Sequence, residues 1–191
     1  MVDRASALEG HDSPRRFGVI GPDGPGVRLT ERRLDSAWLI AAWPDRLAQT
    51  GKVVAKAAGA DAAPGPGQSA TGSAGTLLRA EPLKWLLISE TPVERPPLDA
   101  ADGTVLELGH ARTVIHVSGP ALEDFMARMV PLDLRAGNFP DGSVANTGLH
   151  HMGVTLLARD GGIDILVLRS FGLAVWDALI EVAAQFGGEI A

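Results

Sequence analysis

The chain has 191 residues, a formal net charge of −6 and no cysteine. The absence of cysteine excludes a disulfide scaffold, an iron–sulfur cluster, a thiolate zinc site and a cysteine nucleophile. The acidic balance argues against a general nucleic-acid-binding protein, and no apolar run approaches the ~18 residues that a membrane span needs. The polar N-terminus has no apolar signal region. We therefore expect a cytoplasmic protein without nucleic-acid or membrane partners.

Three low-complexity stretches divide the sequence. Residues 1–26 are rich in Pro, Gly and charge, which predicts an extended arm. The Ala/Gly-rich tract 59–75 predicts a flexible surface loop, and the proline-rich tract 91–103 predicts a linker. The remaining chain, 27–191, is expected to form a single domain.

The segments between these stretches alternate between strand and helix patterns. In the first half we predict, in chain order, a strand over 35–43, a helix over 45–59 between Pro44 and Gly59, and strands over 76–80, 84–89 and 104–109. In the second half we predict a strand over 112–119, a helix over 119–130, a hairpin of 151–160 with 162–170, and a helix over 172–187.

The two halves, 27–90 and 104–188, share the order strand, helix, strand, strand, and each helix begins with a proline. Two such βαββ units predict an α+β fold class. The sheets would be mostly antiparallel, with helices packed on one face.

Motifs for catalysis and cofactor binding are missing. The sequence has no GxxxxGK[ST] loop, no GxSxG elbow and no GxGxxG of the correct spacing. His150 and His151 are adjacent, so on a regular strand they point to opposite faces and do not ligate one metal. His116 is expected to be a half-buried, hydrogen-bonded side chain. We expect no catalytic residue, no metal ligand and no cofactor bound by this chain.

The segment VPLDLRAGNFP, residues 130–140, follows the second-half helix and contains two prolines. Asp133 and Arg135 lie in it without an accompanying base, nucleophile or cofactor loop. We therefore interpret this segment as a rigid connector whose Asp133 fixes the loop. Its exposed edge, including Arg135, is a predicted contact surface.

The order of several short elements resembles the gamma subunit of heterotetrameric sarcosine oxidase. The resemblance covers roughly residues 27–188 and is strongest from 112 onward. The matching elements are Pro82 with Trp85-Leu86-Leu87, Arg112, Gly119-Pro120, Pro131-Leu132-Asp133-Leu134, Phe139-Pro140, Thr147, Arg169-Ser170-Phe171 and Trp176. Phe139 and Arg169 thus join Asp133 and Arg135 as residues expected to structure loops or contact another subunit.

The resemblance implies a fold similar to the folate-binding part of T-protein aminomethyltransferases. It also implies a non-catalytic role beside alpha, beta and delta subunits, in a complex that oxidatively demethylates sarcosine to glycine. That complex produces hydrogen peroxide and can pass the one-carbon unit to tetrahydrofolate. The expected cofactors of the complex are FAD, FMN, NAD, zinc and tetrahydrofolate, all on other subunits.

Three alternatives remain open at the level of sequence. The chain could be a gamma-like subunit of an N-methylglutamate dehydrogenase-type complex, because the substrate site lies on another subunit. It could be a free-standing folate-binding protein of the T-protein type. The least favoured alternative is a hydrolase using His116 or His150.

Overall fold

A computed structural model describes residues 5–191 of the chain. These residues divide into two units. Unit 1 comprises the described residues up to Arg33 together with Ala111–Asp141 and Asn146–Ala191. Unit 2 comprises Leu34–His110 and Gly142–Ala145. The chain therefore begins in unit 1, forms most of unit 2 and then completes unit 1.

Unit 1 contains a seven-stranded sheet in the order β1-β12-β2-β8-β11-β10-β9. The strands are β1 (Arg15–Phe17), β2 (Val27–Arg32), β8 (Arg112–Ser118), β9 (Val144–Leu149), β10 (Met152–Arg159), β11 (Gly162–Leu168) and β12 (Gly188–Ile190). The first two residues of β9 are counted with unit 2. The helices are α2 (Leu122–Met129) and α3 (Gly172–Ala183). Strand β12 pairs parallel with β2, whereas β2 with β8, β8 with β11, and β11 with β10 are antiparallel.

The core of unit 1 forms where the apolar face of the sheet packs against the apolar faces of α2 and α3. Ile163, Ile165 and Val167 alternate along β11 and belong to one apolar cluster with Phe125 of α2 and Trp176 of α3. Both aromatic side chains are fully buried. Burial of a large apolar side chain contributes roughly 1.5–3 kcal/mol, so this cluster is the main stabilising feature of the unit.

Unit 2 contains a five-stranded sheet in the order β4-β5-β6-β3-β7. The strands are β3 (Ser36–Ala42), β4 (Gln68–Thr71), β5 (Thr76–Glu81), β6 (Lys84–Ser89) and β7 (Gly103–Glu107), and the helix is α1 (Leu47–Ala58). Its pairings are antiparallel. Ile40, Val54, Leu77, Trp85 and Leu87 form its buried apolar cluster.

The two sheets repeat one arrangement. The order β4-β5-β6-β3-β7 corresponds to β9-β10-β11-β8-β2, with a helix after β3 and after β8. The predicted α+β fold with two related, mostly antiparallel halves is confirmed. Each five-stranded arrangement has two strands more than the predicted βαββ unit, namely β4 and β7 in unit 2 and β9 and β2 in unit 1. Strands β4 and β9 lie at the sheet edges.

The residues predicted to end α1 and to turn the β10–β11 hairpin are confirmed. Helix α1 ends at Gly59, which has a left-handed φ of 66°. Asp160 and Gly161, with φ of 57° and 69°, turn the hairpin of β10 and β11. Helix α2 begins at Leu122, later than predicted, and α3 ends at Ala183, earlier than predicted.

Three sequence-based expectations differ from the structure. Arg15–Phe17, within the predicted arm, forms β1 and pairs with β12, and Leu8 is fully buried in unit 1; residues 1–4 lie outside the described residues. Residues 27–32, which belong to the first predicted half, form β2, and this strand pairs with β8 of the second half. The tract 59–75 is not a structureless loop, since 68–71 forms β4 against β5. Residues 15–17 and 68–71 are ordered by backbone hydrogen bonds to neighbouring strands, although their side chains bury little apolar surface.

The longest helices, α1 and α3, have 12 residues each. Within residues 5–191, no helix is both long enough and apolar enough to cross a bilayer.

Candidate functional site

Asp133 is the centre of the connector after α2. Its carboxylate accepts hydrogen bonds from Arg135 Nε at 2.8 Å, Arg135 Nη2 at 2.5 Å and Asn138 Nδ2 at 2.5 Å. The backbone N–H of Arg135 donates to the same carboxylate at 3.2 Å. Asn138 and Phe139 in turn donate their backbone N–H groups to the carbonyl of Arg135. One carboxylate thus organises a turn of six residues.

Charge adds to this geometry. The hydrogen bond from Arg135 is the largest cause that holds the pKa of Asp133 far below its usual range, and Asn138 adds to the effect. The same pair raises the pKa of Arg135. Both groups are exposed to solvent, so the ion pair orders the loop more than it stabilises the fold.

The neighbours of Asp133 divide between core and surface. Leu134 is buried and Phe139 packs partly against the apolar cluster of unit 1, whereas Leu132 is 37% exposed. The connector is therefore anchored on one side and presents Leu132, Asp133 and Arg135 outward.

Arg169 lies in a short 3-10 turn, Arg169–Phe171, between β11 and α3. Its Nη2 donates to the carbonyl of Ala5 at 2.8 Å, and its backbone N–H donates to the carbonyl of Ala111 at 2.9 Å. Leu168 and Phe171 flank it and are each 44% exposed. An exposed arginine between two exposed apolar side chains has the composition of a protein contact surface.

A second polar cluster surrounds Asp164, and only its member His116 was predicted to be half-buried and hydrogen-bonded. Asp164, in the middle of β11, is fully buried and lies opposite His116 of β8. His116 Nδ1 is 2.7 Å from one carboxylate oxygen, and Arg32 Nε is 3.2 Å from the same oxygen. Arg159 Nε donates to the other oxygen at 2.5 Å. Arg32 also contacts exposed Asp160 at 2.7 Å.

These contacts limit the chemistry that Asp164 can perform. Both of its oxygens contact a cation or His116 and the group is fully buried, so its charge is compensated within the chain. Among residues 5–191, no group of three or more His, Cys, Asp or Glu side chains is positioned to hold a metal ion. The cluster is a compensated buried charge network, in keeping with the expected hydrogen-bonded role of His116.

The remaining histidine pair has a different position from the predicted one. His150 and His151 are exposed in the turn between β9 and β10, and His150 has a φ of 52°. Strand β10 begins at Met152, one residue after the predicted start at 151.

Sequence reasoning missed Asp164, Arg159 and Arg32. The available signal was the single carboxylate in GIDILVL, a run whose other side chains are apolar. A charge within a strand buried on both faces requires partners nearby. The identity of those partners depends on strand order, which the sequence does not state.

No protein-family model matches the chain, and no curated protein matches it. Among solved structures, the chain is similar to a chain of heterotetrameric sarcosine oxidase from Corynebacterium sp. U-96, determined in complex with pyrrole 2-carboxylate. The TM-score is 0.74 and the identity 24%, over 96% of this chain and 96% of that chain. It is also similar to the glycine cleavage system aminomethyltransferase T from Bartonella henselae, with a TM-score of 0.56 and 13% identity.

The second similarity covers 93% of this chain but 58% of that chain. The chain thus spans about three fifths of that aminomethyltransferase and nearly all of the sarcosine oxidase chain that it matches. At these identities the similarities establish a shared fold, which is the fold that the sequence resemblance implied.

Proposed function

We propose that this chain is a non-catalytic subunit of a flavoenzyme complex of the heterotetrameric sarcosine oxidase type, with the role of its gamma subunit. One observation carries the proposal: the fold similarity extends over 96% of both chains. An end-to-end match of that kind favours an equivalent building block over a domain borrowed by a larger, unrelated protein.

The chemistry of the described residues supports this role. Among residues 5–191, the fully buried carboxylate of Asp164 has its charged and hydrogen-bonded partners within the chain. Exposed apolar side chains flank Arg169, and Asp133 with Arg135 lies on an ordered, exposed loop. Such features fit a protein contact better than a reaction centre.

In this proposal the chain contributes to assembly and stability of a cytoplasmic complex with alpha, beta and delta partners. The complex would oxidatively demethylate sarcosine to glycine, producing hydrogen peroxide, and transfer the one-carbon unit to tetrahydrofolate. FAD, FMN, NAD, zinc and tetrahydrofolate would bind to the other subunits. Asp133, Arg135, Phe139 and Arg169 would structure or form the contact surface.

Co-expression tests the proposal. The chain would be produced with the three neighbouring gene products, and parallel preparations would each omit one product. We expect the full set to co-purify and to form peroxide from sarcosine, and we expect omission of this chain to lower the yield of assembled complex. Complete assembly without it, with the chain left monomeric, would refute the role.

The same preparation separates the two complex types. Peroxide formation from sarcosine supports the oxidase, whereas oxidation of N-methylglutamate with an artificial electron acceptor and without peroxide supports the N-methylglutamate dehydrogenase type. Either result keeps the subunit role and changes only the substrate of the complex.

A second candidate function is folate binding by the isolated chain, favoured by the similarity to aminomethyltransferase T over 93% of this chain. Titration calorimetry with tetrahydrofolate decides it. Saturable binding by the isolated chain would support this second function, and the absence of heat at millimolar ligand would remove it.

A further inference from the structure

Unit 2 contains a concave pocket of about 930 Å³ between α1 and the loop that follows it. Ligand pockets commonly have volumes of roughly 300–1,000 Å³. All of its lining residues lie between Pro44 and Trp85, within one unit. The connector after α2 and the Arg169 turn, which belong to unit 1, are not part of it.

Small side chains leave this space open. Ala48, Gly51 and Ala55 form the helix wall, and Ala60, Ala62 and Ala63 form the loop wall. A methyl group added at Gly51 would lie 3.6 Å from Ala63 Cβ and 4.0 Å from Trp85 Cζ2, which are ordinary contact distances. Larger side chains on the helix wall would therefore fill the pocket without displacing the backbone.

Arg79 and Trp85 are fixed at the base. The Arg79 guanidinium carbon lies 4.9 Å from the centre of the Trp85 ring. Trp85 Nε1 and Arg79 Nη1 both donate to the carbonyl of Pro64, at 3.3 Å and 3.4 Å. Arg79 Nη2 donates to the carbonyl of Pro82 at 2.5 Å. These bonds order both the cation and the loop wall.

The charge of Arg79 has no carboxylate partner among residues 5–191, and its buried Nε has no acceptor there. Lys52 and Lys56 also line the pocket, one helical turn apart. The lining carboxylates are Asp45 and Asp61. The pocket therefore carries three cations against two anions, in a protein whose formal net charge is −6.

We propose that this pocket binds a small organic anion with a flat, apolar body. The alanines and Gly51 would contact the flat body, and the face of the Arg79 guanidinium opposite Trp85 would extend that contact. The carboxylate, sulfonate or phosphate of the ligand would pair with Arg79 and the two lysines. The site goes beyond the proposed subunit role and is present in the isolated chain.

The probe for this site is 2-naphthoate, and its neutral counterpart is 2-naphthylmethanol. Each is titrated into the ¹⁵N-labelled full chain and followed by NMR. We expect saturable shifts of the Gly51, Ala55 and Ala63 amides and of the Trp85 indole N–H. The anion should bind at least about tenfold more tightly than the alcohol, because a hydrogen bond to a charged group is strong.

Variants test separately whether the ligand occupies the pocket and whether it pairs with the pocket cations. Gly51→Leu should abolish the shifts by occupying the pocket. Arg79→Gln should weaken binding about tenfold, and Lys52→Gln with Lys56→Gln should weaken it about threefold or more. Arg95→Gln removes an exposed charge elsewhere in unit 2 and is the matched control, which should bind as the parent does. The lysine variant retains a test of the charge if Arg79→Gln does not fold.

Equal affinities for the anion and the alcohol would overturn the proposal, as would shifts concentrated in unit 1. The absence of a saturable response up to roughly 10 mM, beyond the weakest useful affinities, would also overturn it. Shifts at the same residues with an oligoglutamate peptide but not with 2-naphthoate would assign the pocket to an acidic protein segment instead. None of these results depends on whether the chain assembles with other subunits.

Discussion

Asp164 and His116 lie directly opposite each other on β11 and β8, with 2.7 Å between a carboxylate oxygen and the imidazole Nδ1. The carboxylate is fully buried and also contacts Arg159 and Arg32. Removing one member of a buried charge network leaves the others uncompensated. The stability of unit 1 should therefore be sensitive to the loss of the Asp164 carboxylate.

We predict that Asp164→Asn lowers the free energy of unfolding by about 3–5 kcal/mol. Asp160→Asn, which alters an exposed partner of Arg32, should change it by less than about 1 kcal/mol. Urea unfolding followed by circular dichroism measures both. Similar small effects for the two variants would contradict the assigned role of Asp164.

Gly162 permits His116 to lie close to β11. A methyl group at Gly162 would be 2.4 Å from the carbonyl oxygen of Val117 and 2.7 Å from His116 Cε1. We predict that Gly162→Ala destabilises the protein by about 1–3 kcal/mol, because backbone or ring must shift. Gly153→Ala is the control, since nothing lies within 4 Å of its added methyl group; equal unfolding midpoints for the two variants would contradict the packing described.

The Asp133 carboxylate should remain ionised in acid. Its pKa is lower in the folded protein than in the unfolded chain, chiefly because of Arg135. Its contribution to folding is therefore complete above about pH 4, the usual Asp value, and is lost only as the pH falls through the lower folded value. Carboxyl ¹³C NMR titration should give a midpoint clearly below the usual Asp value, and Arg135→Gln should raise it. An ordinary midpoint in the parent protein would contradict the geometry of the loop.

The secondary structure was predictable where side-chain patterns are strong. Helix α3 and the β10–β11 hairpin combine clear apolar periodicity with glycine or Asp-Gly punctuation. Strands β4 and β9 were missed because edge strands need little apolar surface. Strands β1 and β12 have three residues each, and they pair Arg15 with Ile190 across almost the whole chain. A short stretch of sequence does not reveal a pairing between strands so far apart in the chain.

Some features of the candidate contact surface were predictable from local sequence and others were not. Asp133 was recognisable because a carboxylate beside prolines commonly organises a turn. The exposure of Leu168 and Phe171 was not predictable, since the apolar pattern of β11 continues into Leu168 and favours burial. The pocket beside α1 was also hidden, because alanine and glycine in the tract after α1 suggest flexibility and not a wall.

Phe171 offers a test of the proposed contact surface. Because it is 44% exposed, Phe171→Ser should leave the unfolding midpoint of the isolated chain nearly unchanged. In co-expression it should reduce recovery of the assembled complex severalfold, since aromatic side chains dominate contact energies. Val19→Ser, at an 80% exposed position of unit 1, is the matched control. Equal recovery for both variants would place the contact elsewhere.

In the proposed role, this chain is a stoichiometric part of a heteromeric complex. Native mass spectrometry of the four co-expressed gene products tests it most directly. We predict one dominant assembly that contains one copy of this 191-residue chain, and activation should release the chain at its intact mass. A dominant assembly of the other three products, with this chain detected only as a free monomer, would contradict it.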